Sequence, residues 1–152
     1  MKFRKVSYSN LNPRQMEDFN FQKVSAVLTD YGFVTLRLNA DWQGADFIAQ
    51  HVDGELFLKV QLKGRAILDT KYKGKDIWVS FPHDGIWYLY PHDEFLAWAL
   101  ENTNIGQTKG WLNPHDIEAV TGKYSWPSPS RQVLQWLANY SLTDSVQIDS
   151  PS

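Results

Sequence analysis

GADFIAQHVDGELFLKVQLKGR, residues Gly44 to Arg65, decides how this 152-residue chain is read. Ala45 to Gln50 and Glu55 to Lys63 are predicted as two strands joined by the turn signal Asp53-Gly54. With that dipeptide as a two-residue loop, the numbers of facing residues sum to 107. A symmetric four-residue loop keeps this register, whereas a three-residue loop with a bulge shifts it by one. Asp46 then faces Gln61, with Cβ atoms roughly 4.5–5.5 Å apart. Gly44 faces Lys63, so the ammonium lies diagonal to the Asp46 carboxylate. The opposite face carries Phe47, Ala49, Leu56, Leu58, Val60 and Leu62, an apolar surface suited to packing under a helix. One side of the hairpin is predicted as core. The other gathers a carboxylate, an amide and the cations Lys59, Lys63 and Arg65.

Phosphodiester hydrolysis uses groups of these kinds. A hard divalent cation takes oxygen ligands. Asp46 offers a charged oxygen, Gln61 a neutral one, and the backbone carbonyl of Leu62 a third. An ammonium at Lys63 can orient an attacking water or offset negative charge on the phosphate. Oxygen ligands without His or Cys point to Mg²⁺ or Mn²⁺.

Working outward, Asn12 is predicted to cap a helix with Pro13 in its first turn and Gln15 completing a capping box. Glu17, Phe21, Val24 and Leu28 form one stripe of that helix, and Gly32 ends it. FVTLRL (Phe33 to Leu38) alternates as a strand. RAILDTKYKGKD (Arg65 to Asp76) reads mostly as loop. DIWVSF and GIWYLY form a second hairpin around His83, Asp84 and Gly85, and a helix opens near Pro91. The stretch from Glu101 to Pro129 reads as irregular, with a turn of helix near Pro114 to Val120. A last helix begins near Ser130, and a polar tail frays from about Thr143. The reading is one α/β domain over residues 1–152, with a mixed sheet of about five strands flanked by helices.

Apolar residues are 43% and charged residues 21% of the chain, the balance of a globular protein. No run of about 20 apolar residues is present, and no apolar stretch follows the basic start, so a soluble, cytoplasmic protein is expected. Cysteine is absent, which excludes disulfides and thiolate metal sites. Net charge is −2, so a nucleic-acid-binding field must come from local clusters. Lys59, Arg65, Lys71, Lys73 and Lys75 form the nearest one. The run Lys71 to Lys75 either grips phosphates beside the hairpin or is a solvated loop. His51, His83, His92 and His115 show no metal-ligand spacing and read as structural. Trp78, Trp87, Trp98 and Trp136 read as core, Trp111 and Trp126 as candidates for a binding or dimer surface.

The Gly-x-Asp stretch, the Asp-Gly turn and the apolar strand ending in Gln-Leu-Lys resemble the central hairpin of the PD-(D/E)XK nuclease superfamily. The form is its Q-x-K variant, most like the small homing-endonuclease-like members. The likeness covers roughly residues 13 to 90, with WYLYPHDE similar to the second hairpin and following helix of such proteins. It implies a restriction-endonuclease-like fold with Asp46 and Gln61 as metal ligands and Lys63 as the catalytic lysine. Many members add a Glu from the first helix, which here is Glu17, with Gln22 as the alternative. Two departures stand out: Gln61 replaces the usual acid, and a Lys- and Gly-rich loop stands where a helix is common. The function implied is a divalent-metal-dependent endonuclease of double-stranded DNA, as a possible homodimer, in homing, restriction or repair. An inactive nucleic-acid-binding module of the same fold, or a protein-interaction module of a phage or mobile element, are the alternatives.

Overall fold

The chain is described here by a computed structural model over residues 1–42, 44–112 and 122–143. Helix α1 (Pro13–Asp30) starts where its capping chemistry places it. The Asn12 side chain accepts the Gln15 N–H at 2.9 Å, and the Gln15 side chain accepts the Asn12 N–H at 3.0 Å. Gly32, at φ +82°, turns the chain into β1 (Phe33–Trp42). A Cβ there would meet the His51 ring at 2.9 Å, so glycine is required on two counts.

Strands β2 (Ala45–His51) and β3 (Phe57–Leu62) follow, then β4 (Ala66–Asp69), β5 (Ile77–His83) and β6 (Ile86–Pro91). Helix α2 (His92–Asn102), strand β7 (Lys123–Trp126), helix α3 (Arg131–Leu137) and the short β8 (Ser141–Leu142) complete the described strands and α-helices. The central sheet has the order β1-β2-β3-β5-β6-β8, with β3 and β5 parallel and the other neighbours antiparallel. Strands β4 and β7 form a second, two-stranded sheet. The fold is therefore mixed α/β, a six-stranded mixed sheet flanked by helices. It exceeds the expected five strands because β8 adds to the edge at Trp87 and Tyr88.

The predicted register of the hairpin holds: Phe47 pairs with Val60, Ile48 with Lys59 and Ala49 with Leu58. The loop itself differs. His51 N–H donates to Leu56 C=O, so four residues, Val52 to Glu55, make the connection. The Val52 N–H is taken by Gly32 C=O at 2.8 Å, and Asp53 Oδ1 accepts the N–H groups of Glu55 and Leu56. The N–H groups that a two-residue turn would organise are committed elsewhere.

Each face of the sheet has its own core. Phe47, Ala49, Leu58 and Val60 pack against Val24 and Leu28 of α1, with the Phe21 ring edge-on to Phe47 at 5.2 Å. Leu56, predicted for this face, is exposed: it closes the loop opposite His51, before β3 begins. On the other face Val79, Phe81 and Tyr90 meet Phe95, Leu96 and Ala99 of α2 and Val133 and Leu137 of α3. Complete burial of such side chains stabilises by about 1.5–3 kcal/mol each.

The segment read as loop is mostly not one. Ala66 to Asp69 is wholly buried, paired with β7, and continues into a turn of 3-10 helix at Thr70–Tyr72. The buried Tyr90 hydroxyl donates to Ile67 C=O at 2.6 Å and accepts Ile67 N–H at 2.9 Å, tying β4 to the central sheet. Four residues with a partner more than fifty positions later carry no local periodicity. Strand β7 was hidden in the same way, in a stretch read as irregular. Trp126, expected at a surface, is buried against Phe95 and Tyr124. The expected helical turn at Pro114 to Val120 and the tail beyond Thr143 lie outside the described residues, as does His115.

Candidate active site

The site forms where β3 ends. Its last pairing with β5 joins Leu62 to Ser80, and the Lys63 N–H then donates to Ser80 C=O at 2.9 Å. Ser80 is itself buried, its hydroxyl donating to Tyr88 C=O at 2.8 Å. The Lys63 backbone is thus fixed to the interior of the sheet before the chain departs at Gly64. Across the hairpin, Asp46 Oδ2 accepts the Leu62 N–H at 2.8 Å. One lone pair of the carboxylate is committed to the middle residue of Gln61-Leu62-Lys63. That bond sets the orientation of Asp46.

Asp46, Gln61, Leu62 and Lys63 line a cleft of about 470 Å³ together with Glu17, Asn20, Met16, Pro13 and Tyr8. Asp46, Gln61 and Lys63 also line an adjoining cleft of about 240 Å³ with Gly44, Lys71, Tyr72 and Lys75. The three residues predicted from the hairpin therefore share one location, half-buried and open to solvent on two sides. Gly44 adopts φ +90°, and a Cβ there would meet the Tyr72 ring at 2.8 Å. The glycine permits the close approach of Tyr72 beside Asp46.

Of the two helix candidates, Glu17 lines the cleft with Asp46, whereas Gln22 lines a different groove with Val6, Leu11 and Phe19. Glu17 lies 3.4 Å from the Arg37 guanidinium, which also holds Asp18. The hydrogen bond that Arg37 donates to Asp18 keeps the guanidinium firmly charged. Among the predicted phosphate contacts, Lys71 and Lys75 border the smaller cleft. Lys59 faces Ile48 within β3, half-buried, while Arg65 and Lys73 are exposed and line neither cleft.

Burial lowers the Lys63 ammonium below its ordinary range, and repulsion from Lys71 adds to this against the pull of Asp46. A lysine half-withdrawn from water between a carboxylate and a second cation is a group under electrostatic load, as at reactive sites.

Sequence reasoning missed several supporting residues. Asn20 and Met16 lie one turn from Glu17 and Asn20 respectively, so the helical stripe facing the cleft was recoverable from spacing. Buried His92 carried no such signal. Its Nε2 accepts the Asp69 N–H at 3.0 Å and its Nδ1 lies 2.9 Å from Asp93 Oδ1. Burial holds its ring below the usual histidine range despite Asp93. Asp93 Oδ2 also accepts the Gly74 N–H at 2.9 Å, so this pair anchors the segment that carries Lys71, Lys73 and Lys75. Its role depends on β4 and on the turn at Gly74, which lie 19 to 23 positions earlier in the sequence.

The chemistry of the donors suits a hard cation: Asp46, Gln61, Glu17, Asn20 and Tyr8, all with side-chain oxygens, line the cleft. Among the described residues no three His, Cys, Asp or Glu side chains form a metal cluster. Any cation would therefore rest on few charges and keep much of its water. No described helix is long and apolar enough to cross a membrane.

The sequence matches no protein-family model and no curated protein. Two solved structures are similar in part. One is Hjc, a Holliday junction resolvase of the archaeal hyperthermophile Archaeoglobus fulgidus. It is 14% identical, with a TM-score of 0.37 over 50% of this chain and 72% of that one. The other is the bacterial homing endonuclease I-Ssp6803I, 21% identical, with a TM-score of 0.42 over 57% of this chain and 70% of that one. Likenesses this partial say nothing about the residues of the site.

Proposed function

We propose that this protein is a divalent-metal-dependent endonuclease of double-stranded DNA, built on the PD-(D/E)XK pattern in its Q-x-K form. The observation that carries this reading is the 2.8 Å bond from Leu62 N–H to Asp46, which fixes a carboxylate beside Gln61 and Lys63 in one open cleft. Asp46, Gln61 and the Leu62 carbonyl would hold Mg²⁺ or Mn²⁺. When bound, such an ion polarises the scissile phosphate and lowers the pKa of a coordinated water.

The chain's own groups do the rest. Asp46 is aimed by the sheet, and its orientation needs no rearrangement when substrate arrives. Lys63, whose backbone is anchored to Ser80, presents an ammonium that orients the attacking water and offsets charge developing on the phosphate. Glu17 stands at the cleft margin, shared with Arg37, and can hold a water of the ion's shell. Lys71 and Lys75 bind the phosphates that flank the scissile one. Lys59, Arg65 and Lys73 extend that contact over the neighbouring surface.

Gln61 favours a second reading, a non-catalytic DNA-binding module, because it removes one negative charge from the cation's ligands. Plasmid nicking separates the two. The nuclease reading expects cutting in Mg²⁺ or Mn²⁺, none in chelator, and a loss of about 100-fold or more in Lys63→Ala with its circular dichroism unchanged. Cutting that survives Lys63→Ala would sink it. Binding without cutting in every metal supports the second reading, and no affinity for DNA at low salt points to a protein partner.

A further inference from the structure

The stretch before α1 has a charge unlike the rest of the chain. Residues 1–14 carry Lys2, Arg4, Lys5 and Arg14 with no carboxylate, leaving eleven cations against seventeen carboxylates for the remainder. Every residue from Met1 to Asn10 is exposed, with Phe3 at 95% and Val6 at 70% relative accessibility. Lys2, Arg4 and Lys5 form no ion pair among the described residues. Three cations interleaved with Phe3 and Val6 are thus held in water without an ion-pair partner among the described residues.

The root of this arm is fixed. The Tyr8 ring lies 5.3 Å from Phe19, and its hydroxyl accepts the Asn20 amide at 2.9 Å. Both partners belong to α1, and Tyr8 and Asn20 line the same cleft as Asp46, Gln61 and Lys63. A chain of six residues from Tyr8 back to Lys2 reaches at most about 20 Å. That equals about six nucleotide steps of one DNA strand.

We infer that residues 2–8 form a phosphate-binding arm, pinned at Tyr8 beside the cleft, that follows the backbone of the DNA strand leaving the site. The inference rests on the nuclease reading for where the strand runs, and names a contact surface that reading does not contain. In a chain of net charge −2, the arm adds a second local source of attraction to that of Lys71 and Lys75. Phosphates rather than base edges are its targets, so it adds affinity without sequence preference.

The test uses the full chain, a fluorescent 20-base-pair duplex (about two helical turns) and chelator, so that nothing is cut. Binding is measured across salt concentrations for the parent, for Lys2→Ala/Arg4→Ala/Lys5→Ala, and for Lys109→Ala/Arg131→Ala as a control away from the cleft. Each lost phosphate contact lowers the salt slope by about 0.9, so the arm variant should be shallower by about 2 to 3. The parent's loss of affinity between 50 and 200 mM salt should exceed the arm variant's by about 40-fold. The control should keep the parent slope. An arm variant with the parent slope, in a protein that binds and nicks DNA, overturns the arm and leaves the nuclease reading standing. So does loss of sedimentation with phosphatidylserine vesicles while DNA binding is untouched, which would make the arm's partner a membrane surface. A parent with no DNA affinity at low salt overturns both.

Discussion

The hairpins β2–β3 and β5–β6 carry the same Asp-Gly signal and similar apolar alternation, yet their surroundings differ. In β5–β6 both faces are covered: Val79, Phe81 and Tyr90 lie under α2 and α3, while Trp78 and Leu89 join the core on the α1 side. In β2–β3 the α1 side is covered, by contacts to Val24 and Leu28, and Ala45 at the start of β2 joins the other core. The layer formed by α2, α3 and the β4–β7 sheet leaves the end of β3 open, and Asp46, Gln61 and Lys63 occupy that margin. The candidate site lies where a covering layer stops, which lets polar groups sit on a rigid strand without full desolvation.

The contrast is sharpest between the faces of β2–β3. Phe47→Ala, on the covered side, should lose about 3–5 kcal/mol in urea unfolding, whereas Gln61→Ala on the open side should stay within about 1 kcal/mol. Comparable losses would mean that the open face is structural after all.

Restoring an acid tests the open margin from the other direction. Gln61→Glu adds a negative charge where the cation would bind, and should lower the Mg²⁺ concentration for half-maximal nicking by about tenfold, or 1.4 kcal/mol. An unchanged or higher requirement would remove Gln61 from the ligand set.

The two turns differ in conformation but agree in one respect. Gly54 (φ +77°) and Gly85 (φ +76°) both have open space where a Cβ would stand. Gly54→Ala and Gly85→Ala should each cost about 1–2 kcal/mol, from backbone conformation alone. A much larger loss at one of them would show that the hairpins depend unequally on their turns. Thermal unfolding of the pair decides.

The smallest effect expected is a pH shift. Lys63 sits below the usual lysine value through burial first and Lys71 second. An unfolded chain therefore binds more protons than the native one between the lowered and the ordinary value, so this group's cost to stability fades as pH rises through that window. Activity that needs the charged ammonium falls over the same range. Lys71→Ala removes the repelling cation and should move the alkaline limb of the nicking profile to higher pH. A limb that stays fixed, or activity that rises there, would contradict a charged role for Lys63.

Much of this was legible in the sequence. The capping box of Asn12 and Gln15, the stripe from Glu17 to Leu28 and the register that sets Asp46 against Gln61 all follow from neighbours within a few positions, or from a period-two pattern. Such signals are local, so the chain states them directly. Strands β4 and β7 escaped because each is short and exists through the other, and the His92–Asp93 anchor escaped because it joins α2 to Asp69 and Gly74, 19 to 23 positions earlier. The loop at Asp53-Gly54 shows the boundary within one feature. The dipeptide and the apolar alternation determined the register, but Gly32, far away in sequence, claimed the Val52 N–H and decided the shape of the turn. Placement of Asp46 beside Gln61 and Lys63 came from the alternation of one hairpin. That this place is a cleft, with Glu17, Lys71 and Tyr8 at its edges, was decided only by how α1 and the β4–β7 layer pack around the sheet, because packing answers to the whole chain.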